Sequence, residues 1–122
     1  MDPALRIAVI EADDAIRELA LRWLAAAGHA ASGAARPVPP PIGVALVVAD
    51  LAQPRSAAAL ARLREATRPA RLVLVSARFR RADTLSAPLA HQLGVAAVLA
   101  KPYTGDELLA AVSAGLRGPS TD

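Results

Sequence analysis

Of the fourteen basic side chains in this 122-residue chain, only Lys101 is a lysine. A lysine presents a compact ammonium on a flexible stem, suited to gripping one oxygen atom, where an arginine presents a planar fork. Lys101 closes the apolar run 95–100 and is followed at once by Pro102. Three other apolar runs also end in polar groups. Run 5–10 ends at Glu11, with Asp13 and Asp14 just behind; run 44–49 ends at Asp50; run 72–75 ends at Ser76. Carboxylates, a hydroxyl and an ammonium can together hold a cation, attack an electrophile and steady an oxyanion. Taken singly, each is better explained as a solvated strand end. The chemistry depends on the chain bringing the four ends to one place.

The runs are short, nearly continuous and rich in β-branched residues, the pattern of strands covered on both faces by helices. The stretches between them read as those helices. In 14–27, Ile16, Leu19, Ala20, Trp23, Leu24 and Ala27 recur at the spacing of one buried face, with Arg17, Glu18 and Arg22 opposite. Asp13 or Asp14 can cap this helix and Gly28 can end it. Ser56 can cap a second helix running to about residue 66, with Leu60 and Leu63 inward. Ser86 opens a short third, with Pro88 in its first turn and Gly94 at its end. Thr104-Gly105-Asp106-Glu107 is a capping box for the last helix, whose inward stripe is Leu108, Leu109, Val112 and Leu116, with Gly118-Pro119 as its stop.

The pattern is weakest between Gly28 and Gly43. Residues 29–32 read as a short edge strand. Arg36-Pro37-Val38-Pro39-Pro40-Pro41 cannot be a regular helix, because proline lacks the N–H donor and restricts its predecessor. It reads as a stiff spacer across the sheet edge in preference to a ligand for a proline-binding module. The alternation of strand and helix predicts an α/β doubly wound parallel sheet, one domain over residues 4–118 with a tail at 119–122. In such sheets the site lies beyond the carboxyl ends of the strands, which gathers Glu11, Asp50, Ser76 and Lys101 on one edge.

Composition bounds the function. Hydrophobic residues make up 54% and aromatics 2%, so the core must be built from small aliphatic side chains. The absence of cysteine removes disulfides and thiolate metal sites and fits a reducing compartment. The apolar runs are too short to span a bilayer, and Met1-Asp2-Pro3 is not the start of a signal peptide. A cytoplasmic protein with no membrane partner is expected. The net charge of +3 comes from scattered arginines, and Trp23, Phe79 and Tyr103 offer little surface for stacking bases. Nucleic acid is therefore not an expected partner. Arg62, Arg64 and Arg68 fall on one helix. Arg78, Arg80 and Arg81 fall in the loop beside the expected site, as a solvated stretch or a steering patch for an acidic or phosphorylated partner. His29 and His91 have no acid or second histidine at ligand spacing and are expected to be solvated.

Over residues 5–116 the chain resembles the receiver domain of two-component response regulators. The resemblance is carried in order by 7–17 (IAVIEADDAIR), 46–54 (LVVADLAQP), 72–78 (LVLVSAR) and 94–103 (GVAAVLAKPY). It implies a flavodoxin-like five-stranded parallel sheet, the second helix shortened or replaced by the proline-rich loop. It implies that Asp50 accepts a phosphoryl group from a histidine kinase or histidine phosphotransfer protein, while Lys101 grips a phosphoryl oxygen and Ser76 moves to bond another. Mg²⁺ would be held by Asp50, by the backbone carbonyl of Ala52 and, through water, by Glu11. A cis peptide is implied at Lys101–Pro102. So is a signalling module, not an enzyme, that acts on an unidentified downstream protein. Receivers often pair through the face of the last two helices and last strand, which leaves a homodimer among the expectations.

Departures from the pattern qualify these implications. Ala12 stands where receivers place the acid that binds the metal directly, so Mg²⁺ should be held weakly. Asp13, one place on, is either an additional metal ligand or the cap of the following helix. Val98 stands at the usual aromatic switch position. The alternative reading is a pseudo-receiver, a binding module that works without phosphorylation. A small hydrolase using Asp50 is disfavoured, because Ala52 stands where a second acid would serve and no glycine-rich phosphate loop is present. The expected context is a stand-alone receiver or a segment of a longer protein.

Overall fold

The computed structural model describes residues 4–117, so the tail 119–122 and the Gly118-Pro119 helix stop lie outside the described residues. Strands form on each apolar run and on one further segment: β1 (Arg6–Ile10), β2 (Ala30–Ala34), β3 (Leu46–Asp50), β4 (Arg71–Ser76) and β5 (Ala97–Ala100). The helices are α1 (Asp14–Ala26), α2 (Ala57–Thr67), α3 (Ala87–Leu93) and α4 (Gly105–Arg117). All strand pairs are parallel, in the order β2-β1-β3-β4-β5. The chain winds outward from β1 to β2, then returns to β3 and winds the other way. The switch point therefore falls between β1 and β3, whose ends carry Glu11 and Asp50. This is the flavodoxin-like doubly wound sheet that the sequence predicts.

Alternate residues of each strand serve opposite layers. Ile7, Val9, Val48, Val73 and Leu99 pack with Ala20 and Leu24 of α1 and with Leu108 and Val112 of α4. Ile10, Val47, Leu72, Leu74 and Val98 pack with Leu60 and Leu63 of α2 and with Leu89 of α3. Full burial of such a side chain contributes about 1.5–3 kcal/mol. Helix starts are fixed locally. Asp13 Oδ1, Ser56 Oγ and Ser86 Oγ accept the N–H groups of Ile16, Ala59 and Leu89 at 2.9, 3.2 and 3.2 Å. Each such cap is worth about 1 kcal/mol.

Three expectations change. The buried face of α1 is rotated from the one its apolar spacing predicts: Leu19 is 42% exposed, Ala27 is exposed, and Arg17 and Leu21 are half-buried. The reason is Gly33 on β2, where Arg17 Cδ and Leu21 Cδ1 each come within 3.0 Å of the position a Cβ would take. A missing side chain on the edge strand lets the helix lean that way. Secondly, β2 does not stop at residue 32 but pairs with β1 through Ala34. Thirdly, β5 is shorter than its apolar run; Val95 and Ala96 are buried but lead into the strand.

No helix joins β2 to β3. Val38, Pro39, Pro40 and Pro41 instead share a cavity of ≈ 160 Å³ with Ala8, Ile10 and Val47 of the sheet. The proline segment thus lies against the face that a helix would otherwise cover. No described helix is long and apolar enough to cross a membrane.

Candidate functional site

The parallel register brings the strand ends level. Asp50 stands opposite Val75, and Ser76 opposite Ala100, so Lys101 is the next residue out. Backbone hydrogen bonds continue past the strands and fix each end: Leu51 N–H to Val75 O at 2.9 Å, Lys101 N–H to Ser76 O at 3.1 Å, and Glu11 N–H to Ala34 O at 2.9 Å. The four predicted residues therefore meet on one edge.

Lys101 is the hub. Its Nζ donates to Glu11 Oε1 at 2.6 Å and to Asp50 Oδ1 at 3.3 Å. Glu11 is 5% exposed, and its other oxygen accepts the Asp13 N–H at 3.0 Å. The Glu11 carbonyl is held in turn by Arg17 Nη1 at 2.7 Å. Asp50 is more open, its side chain 26% exposed. Among the described residues, Lys101 is the sole donor to its carboxylate.

The electrostatics show an excess of negative charge. Burial, followed by the charge of Glu11, raises Asp50 above the usual carboxylate range against the opposing pull of Lys101. Burial would lower Lys101, but its hydrogen bond to Glu11 and the charges of Asp50 and Glu11 outweigh that and hold it raised. Tyr103 is pushed up to about 12 by burial and by the charges of Glu11 and Asp50. One ammonium faces two carboxylates, and the neighbourhood resists a further negative charge.

The other expected members fall differently. Ser76 is fully buried, and its hydroxyl oxygen accepts the Arg78 N–H at 3.1 Å. Asp13 is exposed and its carboxylate caps α1, so of its two predicted roles the structure shows the cap. Ala12 and Ala52 are both exposed. The Lys101–Pro102 bond is cis, as the resemblance implies, and Arg68–Pro69 is cis as well. His29, expected to be solvated, is half-buried and its Nδ1 accepts the Leu5 N–H at 3.2 Å, a structural role set by the start of β1. His91 is exposed on α3.

Sequence reasoning missed the brace around Lys101. Thr84 Oγ1 accepts the Ala100 N–H at 3.1 Å, and Arg81 donates to the Pro102 carbonyl at 2.7 Å. Arg81 also pairs with Glu107 at the start of α4. The backbone on both sides of the lysine is thus held by the loop that follows Ser76. Nothing local announces these contacts, because each partner lies well over a dozen residues from the group it holds. Arg81 is also the one arginine of its loop that is tied down; Arg78 and Arg80 are exposed beside the site.

The donor chemistry suits a hard cation, since all available ligands are oxygens and the pocket carries surplus negative charge. Asp50 and the Ala52 carbonyl are the donors that the resemblance to receivers would assign, with Glu11 acting through water. Glu11 keeps both oxygens engaged, however, and Ala12 supplies none. Among the described residues no group of three acidic, histidine or cysteine side chains converges as a metal cage. The residues fit a weakly held, largely hydrated ion.

No protein-family model and no curated protein matches the chain. Solved structures do. A response regulator from Thermotoga maritima superposes with a TM-score of 0.67 at 16% identity, covering 95% of this chain and 100% of that one. An orphan response regulator of H. pylori gives 0.65 at 19%, covering 94% and 100%. A response regulator from Burkholderia pseudomallei, solved with a phosphorylated aspartic acid, a calcium ion and citrate, gives 0.57 at 20%, covering 88% and 65%. The chain has the receiver fold of response regulators; at these identities the likeness is one of fold.

Proposed function

We propose that the chain is a response-regulator receiver of two-component signalling, which takes a phosphoryl group onto Asp50 from a histidine kinase or phosphotransfer protein. The observation that carries this reading is the placement of Lys101 Nζ within hydrogen-bond reach of Asp50 at the end of the sheet. An Asp50 oxygen attacks phosphorus, the phosphorus–nitrogen bond of the donor phosphohistidine breaks, and the imidazole leaves with that electron pair and takes up a proton. Lys101 then exchanges the Asp50 oxygen for a phosphoryl oxygen while keeping Glu11, so the ammonium moves little as charge arrives. Ser76 supplies a hydroxyl to a second phosphoryl oxygen on leaving the Arg78 N–H. A Mg²⁺ ion bound by Asp50, the Ala52 carbonyl and water-bridged Glu11 would offset the charge of the phosphoryl oxygens.

The output in this reading is binding, with no turnover of substrate: phosphorylation alters the loop 77–86, and a downstream protein or a second copy of the chain reads the change. The setting is the cytoplasm. A relative with this fold carries a phosphorylated aspartic acid, which supports the chemistry by analogy. A second reading, a binding module that works without phosphorylation, is favoured by Ala12 and by the full engagement of Glu11. Intact-mass spectrometry after incubation with acetyl phosphate and Mg²⁺, beside Asp50→Asn, separates the two. One added phosphoryl group on the wild type alone supports the receiver. Its absence at every Mg²⁺ concentration transfers the assignment to the binding module.

A further inference from the structure

A groove of ≈ 630 Å³ runs between α2 and α3, on the side of the sheet away from α1 and α4. Its floor is apolar: Ala57, Leu60 and Ala61 line it from α2, and Leu93 from α3. The first three recur at i, i+3 and i+4, so they present one continuous helical face. Its rim is basic. Arg55 and Arg68 line it with side chains 58% and 69% exposed. Glu65 is the sole acid in the lining, and it already pairs with Arg68 at 3.1 Å.

Between these rim residues Arg64 is set in place. Its Nη1 donates to the Leu93 carbonyl at 3.2 Å. It also lies 2.7 Å from the position a Cβ on Gly94 would occupy. Gly94 has φ 70° as the cap of α3, so a glycine there satisfies the left-handed turn and leaves room for the guanidinium to cross from α2 to α3. Among the described residues, Nε and Nη2 of Arg64 have no hydrogen-bond acceptor. The result is a preorganised cation over an apolar floor, with two exposed cations beside it, Arg55 within 4.0 Å of Asp83 and Arg68 paired with Glu65.

We propose that this groove binds an acidic, amphipathic helical segment of a partner protein. The apolar stripe of such a helix fits a floor built from one face of α2, and its acidic flanks meet three guanidinium groups. The same charge argues against the other occupants. A second copy of the chain would set this basic face against itself. Nucleic acid would meet an aliphatic floor with no aromatic side chain on which to stack a base. The inference stands apart from phosphorylation of Asp50, although both walls of the groove follow strands that end at the site.

The test titrates the ¹⁵N-labelled chain with a helical peptide of about fourteen residues, long enough to form several turns, with leucines at i, i+3, i+4 and i+7 and glutamates elsewhere. Amide shifts should concentrate at residues 55–68 and 92–94. The double variant Arg55→Glu/Arg68→Glu, both residues being exposed, should keep its circular dichroism and bind about tenfold more weakly. A peptide with lysines in place of glutamates should not bind. No shifts, shifts confined to residues 78–81 or to α1 and α4, or unchanged affinity in the variant would each overturn the proposal. So would a single-stranded oligonucleotide that binds more tightly than the peptide at the same residues.

Discussion

The two halves of the strand-end pocket are built from the same kinds of group and put them to different uses. On the β3–β5 side, Asp50 and Lys101 face each other with one carboxylate oxygen open, and Ser76 stands on the strand between them. On the β1 side, Glu11, Ala12 and Asp13 serve the scaffold. Glu11 spends one oxygen on Lys101 and one on a backbone N–H, and Asp13 caps α1. The halves differ in exposure as well: Glu11 is buried and Asp50 is partly open. A buried carboxylate with every oxygen committed fixes a partner, whereas an open one with a spare oxygen can react. Lys101 joins the halves. Glu11 anchors the ammonium, and Asp50 is the acid it can release.

If Lys101 is the joint, its removal should produce the largest effect. Lys101→Ala leaves the buried Glu11 charge uncompensated and should cost about 3 kcal/mol in urea denaturation, with much of the loss recovered in Lys101→Ala/Glu11→Gln. A cost near zero would break the comparison, because the halves would then be independent.

The β1 side can next be given back a ligand. Ala12→Asp should strengthen Mg²⁺ binding by about tenfold in calorimetric titration, through one further carboxylate on a hard cation. An unchanged affinity would mean that Ala12 lies outside the ion's reach. A smaller effect separates cap from ligand at Asp13. Asp13→Ala should lower stability by about 1 kcal/mol and leave Mg²⁺ affinity untouched. A loss of affinity would return Asp13 to the metal site.

The smallest effect concerns pH and compares the two partners of the open pair. Both pKa values are raised on folding, with opposite consequences at neutral pH. For Lys101 the stabilising contribution is present below its usual value and is lost as pH rises through the raised folded value. For Asp50 the contribution is present only below the usual carboxylate range and is lost as pH rises through its own raised value, so at neutral pH the charge opposes folding. Asp50→Asn should therefore be at least as stable as the wild type at pH 7 by thermal denaturation, and the gap should close on acidification. A variant less stable at pH 7 would show that Asp50 is part of the scaffold, like Glu11. A carboxylate held at some cost in stability is what the proposed role of Asp50 leads one to expect.

Much of the fold was legible because its cues are local. Asp13, Ser56, Ser86 and Thr104 each mark a helix start within three residues, and Gly94 marks the end of α3. The apolar runs of β3 and β4 stop at the groups that became the site. The rotation of α1 was not legible, since it depends on Gly33, which is distant in sequence and matters for an atom it lacks. Nor was the β1 half of the pocket. Asp13 reads equally as ligand and cap from its spacing, and only the backbone path shows the carboxylate on Ile16 N–H.

By itself, then, the sequence determined the strand and helix periodicities, the caps, the proline segment that replaces a helix, and the four polar strand ends. These follow from interactions between near neighbours along the chain and from apolar spacing that any packed core must respect. Tertiary structure alone decided that Lys101 bridges Glu11 and Asp50, that Arg81 and Thr84 brace the lysine, and that Arg64 crosses to the end of α3. Each of these is a directional contact between residues far apart in the chain. Its geometry comes into existence only when parallel register and helix docking have set the distances.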